Sequence, residues 1–138
     1  MPLLAWEDRF LVGNDEIDGQ HKRLLELINS VYDVYVKGDE GDKLYEIIYG
    51  LIDYAAYHFK TEEEYMEQFK NEYAEYKLHK EEHNDFIVHV VNYFVDYAEG
   101  RVQEIPKSVL DYLVKWFTGH TTGTDKRFAL FLGEKGIV

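Results

Sequence analysis

The sequence has no cysteine. That excludes a disulfide framework, a thiolate metal site and a cysteine nucleophile, so any metal must be held by imidazole and carboxylate, a donor set that favours iron, manganese, zinc or copper. Proline stands only at positions 2 and 106, which permits long helices almost everywhere else. The two serines, Ser30 and Ser108, support no Ser-His-Asp grouping. Basic residues are outnumbered, 15 against 27 acidic, and the net charge of −12 argues against nucleic acid or an anionic membrane surface as a partner. No run approaches the roughly 18 apolar residues that span a bilayer. The start, "MPLLAWEDRF", also lacks the basic n-region and apolar stretch of a signal peptide. A soluble, cytoplasmic protein with no membrane contact is expected.

What is present is apolar and helical in pattern. The chain of 138 residues is 46 % hydrophobic and 16 % aromatic, too apolar for disorder and long enough for one domain with its own core. Apolar residues recur at helical spacing in four segments, and nothing alternates with the period of a strand. The first helix is expected over 18–36, with Ile17, His21, Leu24, Leu25, Ile28, Val31 and Tyr35 as its stripe. The second, over 43–66, presents Leu44, Ile47, Ile48, Leu51, Ala55, His58, Glu62 and Met66. The third, over 74–99, presents Tyr76, His79, His83, Phe86, Val90, Tyr93 and Tyr97. The fourth, over 106–121, presents Val109, Leu113, Trp116 and His120, then meets Gly123. "KGDEGD" at 37–42 and "EGRVQEIP" at 99–106 read as connecting turns. Four amphipathic helices on short loops predict an all-α, up-down-up-down four-helix bundle behind an N-terminal loop segment, one domain spanning 1–138.

The stripes carry an anomaly. Five of the six histidines, and Glu62, fall on apolar faces. Each unpaired buried polar group costs roughly 1–3 kcal/mol, so something in the core must satisfy them together. His79 and His83, in "HKEEH", share one helix face about 6 Å apart and can grip one ion. The same letters match H-x-x-E-H, the inverted zinc-protease signature with Glu82 as base. His58 and Glu62 repeat the four-residue spacing with a nitrogen and an oxygen donor. His120 and Asp125 are five apart, about 140° on a regular helix. They face the same way only if the helix bulges toward π geometry or breaks, which Gly123 permits. His21, alone, is by itself an ordinary core histidine. Five imidazoles and two carboxylates are too many for one ion. If both carboxylates bridge two octahedral ions that also share an oxide or hydroxide, one position stays open, suited to a small exogenous ligand. A zinc protease would leave His21, His58, Glu62, His120 and Asp125 unexplained.

The pattern of a lone His21, His58-x-x-x-Glu62, His79-x-x-x-His83 and His120-x-x-x-x-Asp125 resembles the hemerythrin family, in particular its bacterial members. The flanks are similar as well: Trp6, "IDGQHK" around His21, "HFKTEEEYM" around His58, and Trp116 one turn before His120. The resemblance implies a non-haem pair of irons bridged by oxide or hydroxide, with dioxygen as the ligand. It implies His79, His83 and His120 on a six-coordinate iron, His21 and His58 on a five-coordinate one, and Glu62 and Asp125 bridging both. Leu24, Phe59 and Trp116 are candidates to line an apolar pocket for O2, with Trp6 above it. Thr121 departs from the apolar residue usual after the fourth-helix histidine, and its hydroxyl would favour autoxidation or admit nitric oxide or peroxide.

The function this implies is reversible O2 binding as carrier, store or supplier, without enzymatic turnover and as a monomer. The alternatives are an O2- or NO-reactive di-iron enzyme and a redox or oxygen sensor. His89 lies off the ligand stripe and is expected at the rim. Glu63, Glu64, Glu81 and Glu82 are expected as solvated charges, any of which can reach a histidine from outside. "NDEIDG" at 14–19 lacks the distal glutamate of a calcium loop.

Overall fold

The computed structural model describes residues 3–37, 42–101 and 106–137. These form a short 3-10 turn at Asp8–Phe10 and helices α1 (Asp15–Lys37), α2 (Asp42–Gln68), α3 (Tyr76–Ala98) and α4 (Lys107–Gly119). A π-helical segment, His120–Thr124, then leads without interruption into α5 (Asp125–Glu134). No strand occurs among the described residues. The expected turns at 37–42 and 99–106 fall largely outside them. No described helix is long and apolar enough to cross a membrane.

Helix α1 starts three residues before the expected Asp18, and Asn14 is the reason. Its Oδ1 accepts the Ile17 N–H at 3.0 Å, while Asp15, Glu16 and Asp18 occupy the positive first turn. Asp18 is buried and accepts the N–H groups of Val12 and Gly13 at 2.7 and 3.2 Å, so this carboxylate holds the turn before α1. Gly13, at φ +93°, makes that turn possible. The α1 stripe closes on Val34. Tyr35 is 41 % exposed, its ring stacked on Tyr32 at the surface instead of in the core as expected. The fourth helix also differs from expectation. It does not end near 121, because the π segment carries it on to α5.

Two apolar clusters define the chain's path. The larger contains Phe10, Leu24, Ile28, Leu51, Ala55, Phe86, Leu113 and Phe117; the smaller contains Ile17, Met66, Tyr73, Phe128 and Leu132. Along α1 the order is Ile17 of the small cluster, then His21, then Leu24 of the large one. Along α2 it reverses: Ala55, then His58 and Glu62, then Met66. Along α3 the partly buried Tyr76 precedes His79 and His83, and Phe86 follows. Phe117 precedes His120 and Asp125, and Phe128 follows. Direction therefore alternates from helix to helix, which is the up-down-up-down arrangement, and α1 and α3 each pack on both α2 and α4. The polar residues of all the helices lie in one layer between the clusters. The N-terminal segment is tied to α1 by reciprocal bonds between Leu4 and Asn29, at 2.9 and 2.8 Å, and seats Phe10 edge-on to Phe117.

Candidate metal centre

The layer gathers His21, His58, Glu62, His79, His83, His120 and Asp125, each buried to 4 % exposure or less. Their donor atoms form two overlapping groups. Glu62, His79, His83, His120 and Asp125 offer atoms within 4.8 Å of one another, and so do His21, His58, Glu62 and Asp125. Both carboxylates belong to both groups. Three histidines lie on one side and two on the other.

All five imidazoles turn Nε2 inward. His21 Nε2 lies 2.9 Å from Asp125 Oδ2, His79 Nε2 2.9 Å and His120 Nε2 3.0 Å from Asp125 Oδ1. His58 Nε2 is 3.0 Å and His83 Nε2 3.3 Å from Glu62 Oε1. Most of these approaches lack hydrogen-bond alignment: both Glu62 oxygens, Asp125 Oδ2 and the Nε2 atoms of His83 and His120 are buried without a directed partner. His21 Nε2 and His58 Nε2 even face each other at 3.1 Å. Nitrogen and carboxylate oxygen atoms crowded this closely, most without a directed partner, are what a cation would satisfy. Nitrogen and carboxylate donors in this number suit iron, manganese or zinc.

The fields in the layer are correspondingly strong. Burial and the neighbouring Asp125 both raise the Glu62 carboxyl, yet His58 and His83 overcome them and hold it down to about 2. Asp125 is likewise held well below the usual range against its burial, by His120, His21 and His79. Burial lowers His120, but Asp125 and the bond to Glu82 lift it to about 10. His83 is raised against burial by Glu62 and Glu63, whereas burial prevails at His58 and lowers it despite Glu62. A cation among these donors would offset the two buried carboxylates in place of imidazole protons.

Regular helix geometry presents His58 with Glu62 and His79 with His83. His120 and Asp125 meet by the π segment: the Asp125 N–H bonds to the His120 carbonyl, one residue beyond the α register. Threonine hydroxyls bond to carbonyls one turn back at and before this irregularity. Thr122 Oγ1 donates to the Thr118 carbonyl at 2.6 Å and Thr118 Oγ1 to the Val114 carbonyl at 2.8 Å.

Outside the layer most histidines have a partner on Nδ1. His58 Nδ1 lies 2.7 Å from Gln20 Oε1, His79 Nδ1 3.0 Å from the Tyr73 hydroxyl, His83 Nδ1 2.9 Å from Glu63 Oε2, and His120 Nδ1 2.6 Å from Glu82 Oε1. His21 Nδ1 is buried with none. Glu63 and Glu82 thus reach a histidine from outside, the alternative open to all four glutamates, whereas Glu64 and Glu81 are exposed. Gln20 and Tyr73 escaped the sequence reading. Gln20 precedes His21 but serves His58 on the next helix, and Tyr73 lies in the turn before α3, so neither has a spacing signal.

Phe59 stacks face to face on His83, centroids 4.0 Å apart, and also touches the rings of His58 and Trp116. Trp116 stacks on His120 at 4.3 Å, and its indole N–H donates to the Glu82 carbonyl. Leu24 is buried in the large cluster, and Thr121 is buried beside His120. Trp6 meets Phe10, which in turn meets Phe117, so its ring is two removed from His21. His89 is exposed and stacks on Tyr112.

A helical bundle closed around a paired histidine–carboxylate layer defines the class: a metal-binding four-helix protein. The sequence model of the hemerythrin HHE cation binding domain matches residues 12–131, and the chain belongs to the hemerythrin family. It is 31 % identical to a bacteriohemerythrin of Clostridium acetobutylicum over 131 residues, covering 91 % of this chain and 98 % of that one. It is 33 % identical to a bacteriohemerythrin of Stenotrophomonas maltophilia, covering 94 % of this chain and 81 % of the relative. The fold superposes on a crystal structure of wild-type hemerythrin with a TM-score of 0.80 at 24 % identity, covering 92 % of this chain and 95 % of that one. Family and cluster together support a non-haem iron site.

Proposed function

We propose that the chain binds dioxygen reversibly at a pair of irons. His79, His83 and His120 would hold one ion, His21 and His58 the other, and Glu62 and Asp125 would bridge them. The observation that carries this is the membership of both carboxylates in both donor groups, with three histidines on one side and two on the other. Two ferrous ions held there would supply the pair of electrons that reversible O2 binding needs. The chain's own part is placement and exclusion. The two apolar clusters seal the layer from water, which keeps a bound ligand from protonation and loss. The Nδ1 contacts of His58, His79, His83 and His120 fix those four rings with Nε2 inward, so that their donors are aimed before any cation arrives.

A donor set this rich in histidine suits holding O2. The carboxylate-rich di-iron proteins are built instead on glutamates with paired Glu-x-x-His motifs. Iron quantitation and visible spectra test the reading together. Two irons per chain are expected, with a band that appears when the reduced protein meets O2 and fades when O2 is removed. One metal per chain, zinc in place of iron, or steady O2 consumption with a reductant would overturn it.

A further inference from the structure

We infer that the groups on the outer faces of the histidines, Glu63 and Glu82 on one side and Gln20 on the other, decide which iron of the pair is the more easily oxidised. The inference rests on the di-iron reading above. With Nε2 given to a cation, each ring carries its proton on Nδ1 and donates it outward. On the three-histidine side two of those protons meet carboxylates, Glu63 at 2.9 Å and Glu82 at 2.6 Å, and the third meets the Tyr73 hydroxyl. On the two-histidine side His58 meets the neutral carbonyl of Gln20 at 2.7 Å, and His21 meets nothing. Gln20 is held in this orientation by its own amide, which donates to Thr61 Oγ1 at 3.2 Å.

The hydrogen bonds are alike in length and differ in charge. A carboxylate pulling on Nδ1–H makes Nε2 a stronger donor, and its negative charge stabilises the higher oxidation state of the ion beyond the ring. The Glu63 and Glu82 side chains are 32 % and 29 % exposed, so water does not screen their charge fully. Thr124 Oγ1 also donates to Glu82 Oε1 at 2.8 Å, which keeps this carboxylate turned inward. The iron held by His79, His83 and His120 is therefore the better ferric ion. When one electron from an external donor such as dithionite reaches the all-ferric pair, it reduces the iron held by His21 and His58. Glu63, Glu82 and Gln20 are positioning residues that act through the imidazoles they touch.

The experiment is an anaerobic potentiometric titration of the iron-loaded protein, followed by visible spectrum and by electron paramagnetic resonance of the half-reduced state. Two separate one-electron steps are expected. Gln20→Glu places a carboxylate on His58 and should make the first step harder by at least tenfold in its equilibrium constant, about 59 mV for one electron. Glu82→Gln removes one from His120 and should make the second step easier by a similar factor, leaving the first in place. Either change narrows the gap, each from its own end, and the half-reduced resonance should change in both.

A purely structural role would move both steps together in the variants that hold two irons. That result, or the same step moving in both variants, overturns the inference. Glu63→Gln repeats the second arm should Glu82→Gln fail to load iron. If the unaltered chain does not hold two irons, the di-iron reading itself falls. If it does and the steps ignore these substitutions, only the assignment of the outer partners falls.

Discussion

The helices reach the metal layer in two different ways. On α2 and α3 the paired donors stand four residues apart and share a face by ordinary helix geometry. On the last helix they stand five apart, and the π segment His120–Thr124 brings them together. A π segment accommodates one extra residue in a turn, so the helix beyond it keeps its original face. Phe128 and Leu132 remain in the small cluster although the donor spacing is irregular. The extra residue has been absorbed locally.

This difference predicts opposite responses to losing one residue. Deleting Glu81, exposed on α3 between His79 and His83, turns the rest of that helix by about 100°. His83, Phe86 and Val90 then leave their places. Displacing each large core side chain costs roughly 2–5 kcal/mol, enough to unfold the protein or abolish iron binding. Deleting Gly123 should be tolerated. It returns His120 and Asp125 to four-residue spacing, lets α4 run into α5 as one α-helix, and keeps Phe128 buried. Iron per chain and thermal unfolding of the two deletions decide the matter. Equal damage in both would refute the view that the π segment is an absorbed insertion.

Removing the metal sharpens the same contrast. A ligand at one hundred times its dissociation constant stabilises the folded state by about 2.7 kcal/mol, so chelation should lower the melting temperature by several degrees. The loosening should be uneven. Amides of 120–125 and the start of α5 should exchange faster with solvent, because their register is held partly by the donors themselves. Amides around His58 and His83 sit in uninterrupted α-helix and should change least. Uniform acceleration along all the helices would remove the distinction.

The sequence made the regular part legible and left the irregular part open. Alternating three- and four-residue steps placed the stripes, Tyr35 apart, and the polar residues on them, because a helix face is a periodic object. The His120–Asp125 spacing announced an irregularity, since five residues cannot share an α face. It did not say that the chain would continue as α5, because the decision rests on contacts from elsewhere. Phe128 and Leu132 are buried against Tyr73 and Met66, which lie more than fifty residues earlier. The outer hydrogen bonds were less visible still. Glu63 and Glu82 sit beside ligands in sequence but were indistinguishable from their exposed neighbours Glu64 and Glu81. Only the rotation of each helix against the next separates a carboxylate facing an imidazole from one facing water.

Glu82 ties the two kinds of helix together. It belongs to α3, yet its carboxylate accepts from His120 Nδ1 and Thr124 Oγ1, and its backbone carbonyl accepts from Trp116. Glu82→Ala should therefore damage the π segment more than its own helix. Leaving buried donors without an acceptor costs about 1–3 kcal/mol. Loss of the outer partner of a ligating histidine typically weakens metal binding by roughly 10- to 100-fold. Competition with a chelator, and exchange rates for 120–125 in the metal-free variant, measure the two effects. Exchange that rises around His83 and not around Thr124 would mean that Glu82 supports α3 instead.

The smallest expected effect concerns Gly123 itself. A glycine inside the π segment suggests that the irregular turn needs a residue without a side chain. The geometry argues otherwise: a Cβ at this position would meet only the Arg127 Nη1 atom, at 3.5 Å, an ordinary contact with a flexible group. Its φ is not among the positive values, which belong to Gly13, Gly100 and Gly136. Gly123→Ala should therefore keep the iron and stabilise the protein by up to about 1 kcal/mol, the helix-propensity difference between the two residues. If instead alanine lowers the melting temperature and loosens the metal, the π turn depends on glycine's freedom. The five-residue spacing would then be a strained device, where the threonine hydrogen bonds and the buried α5 face point to a relaxed one.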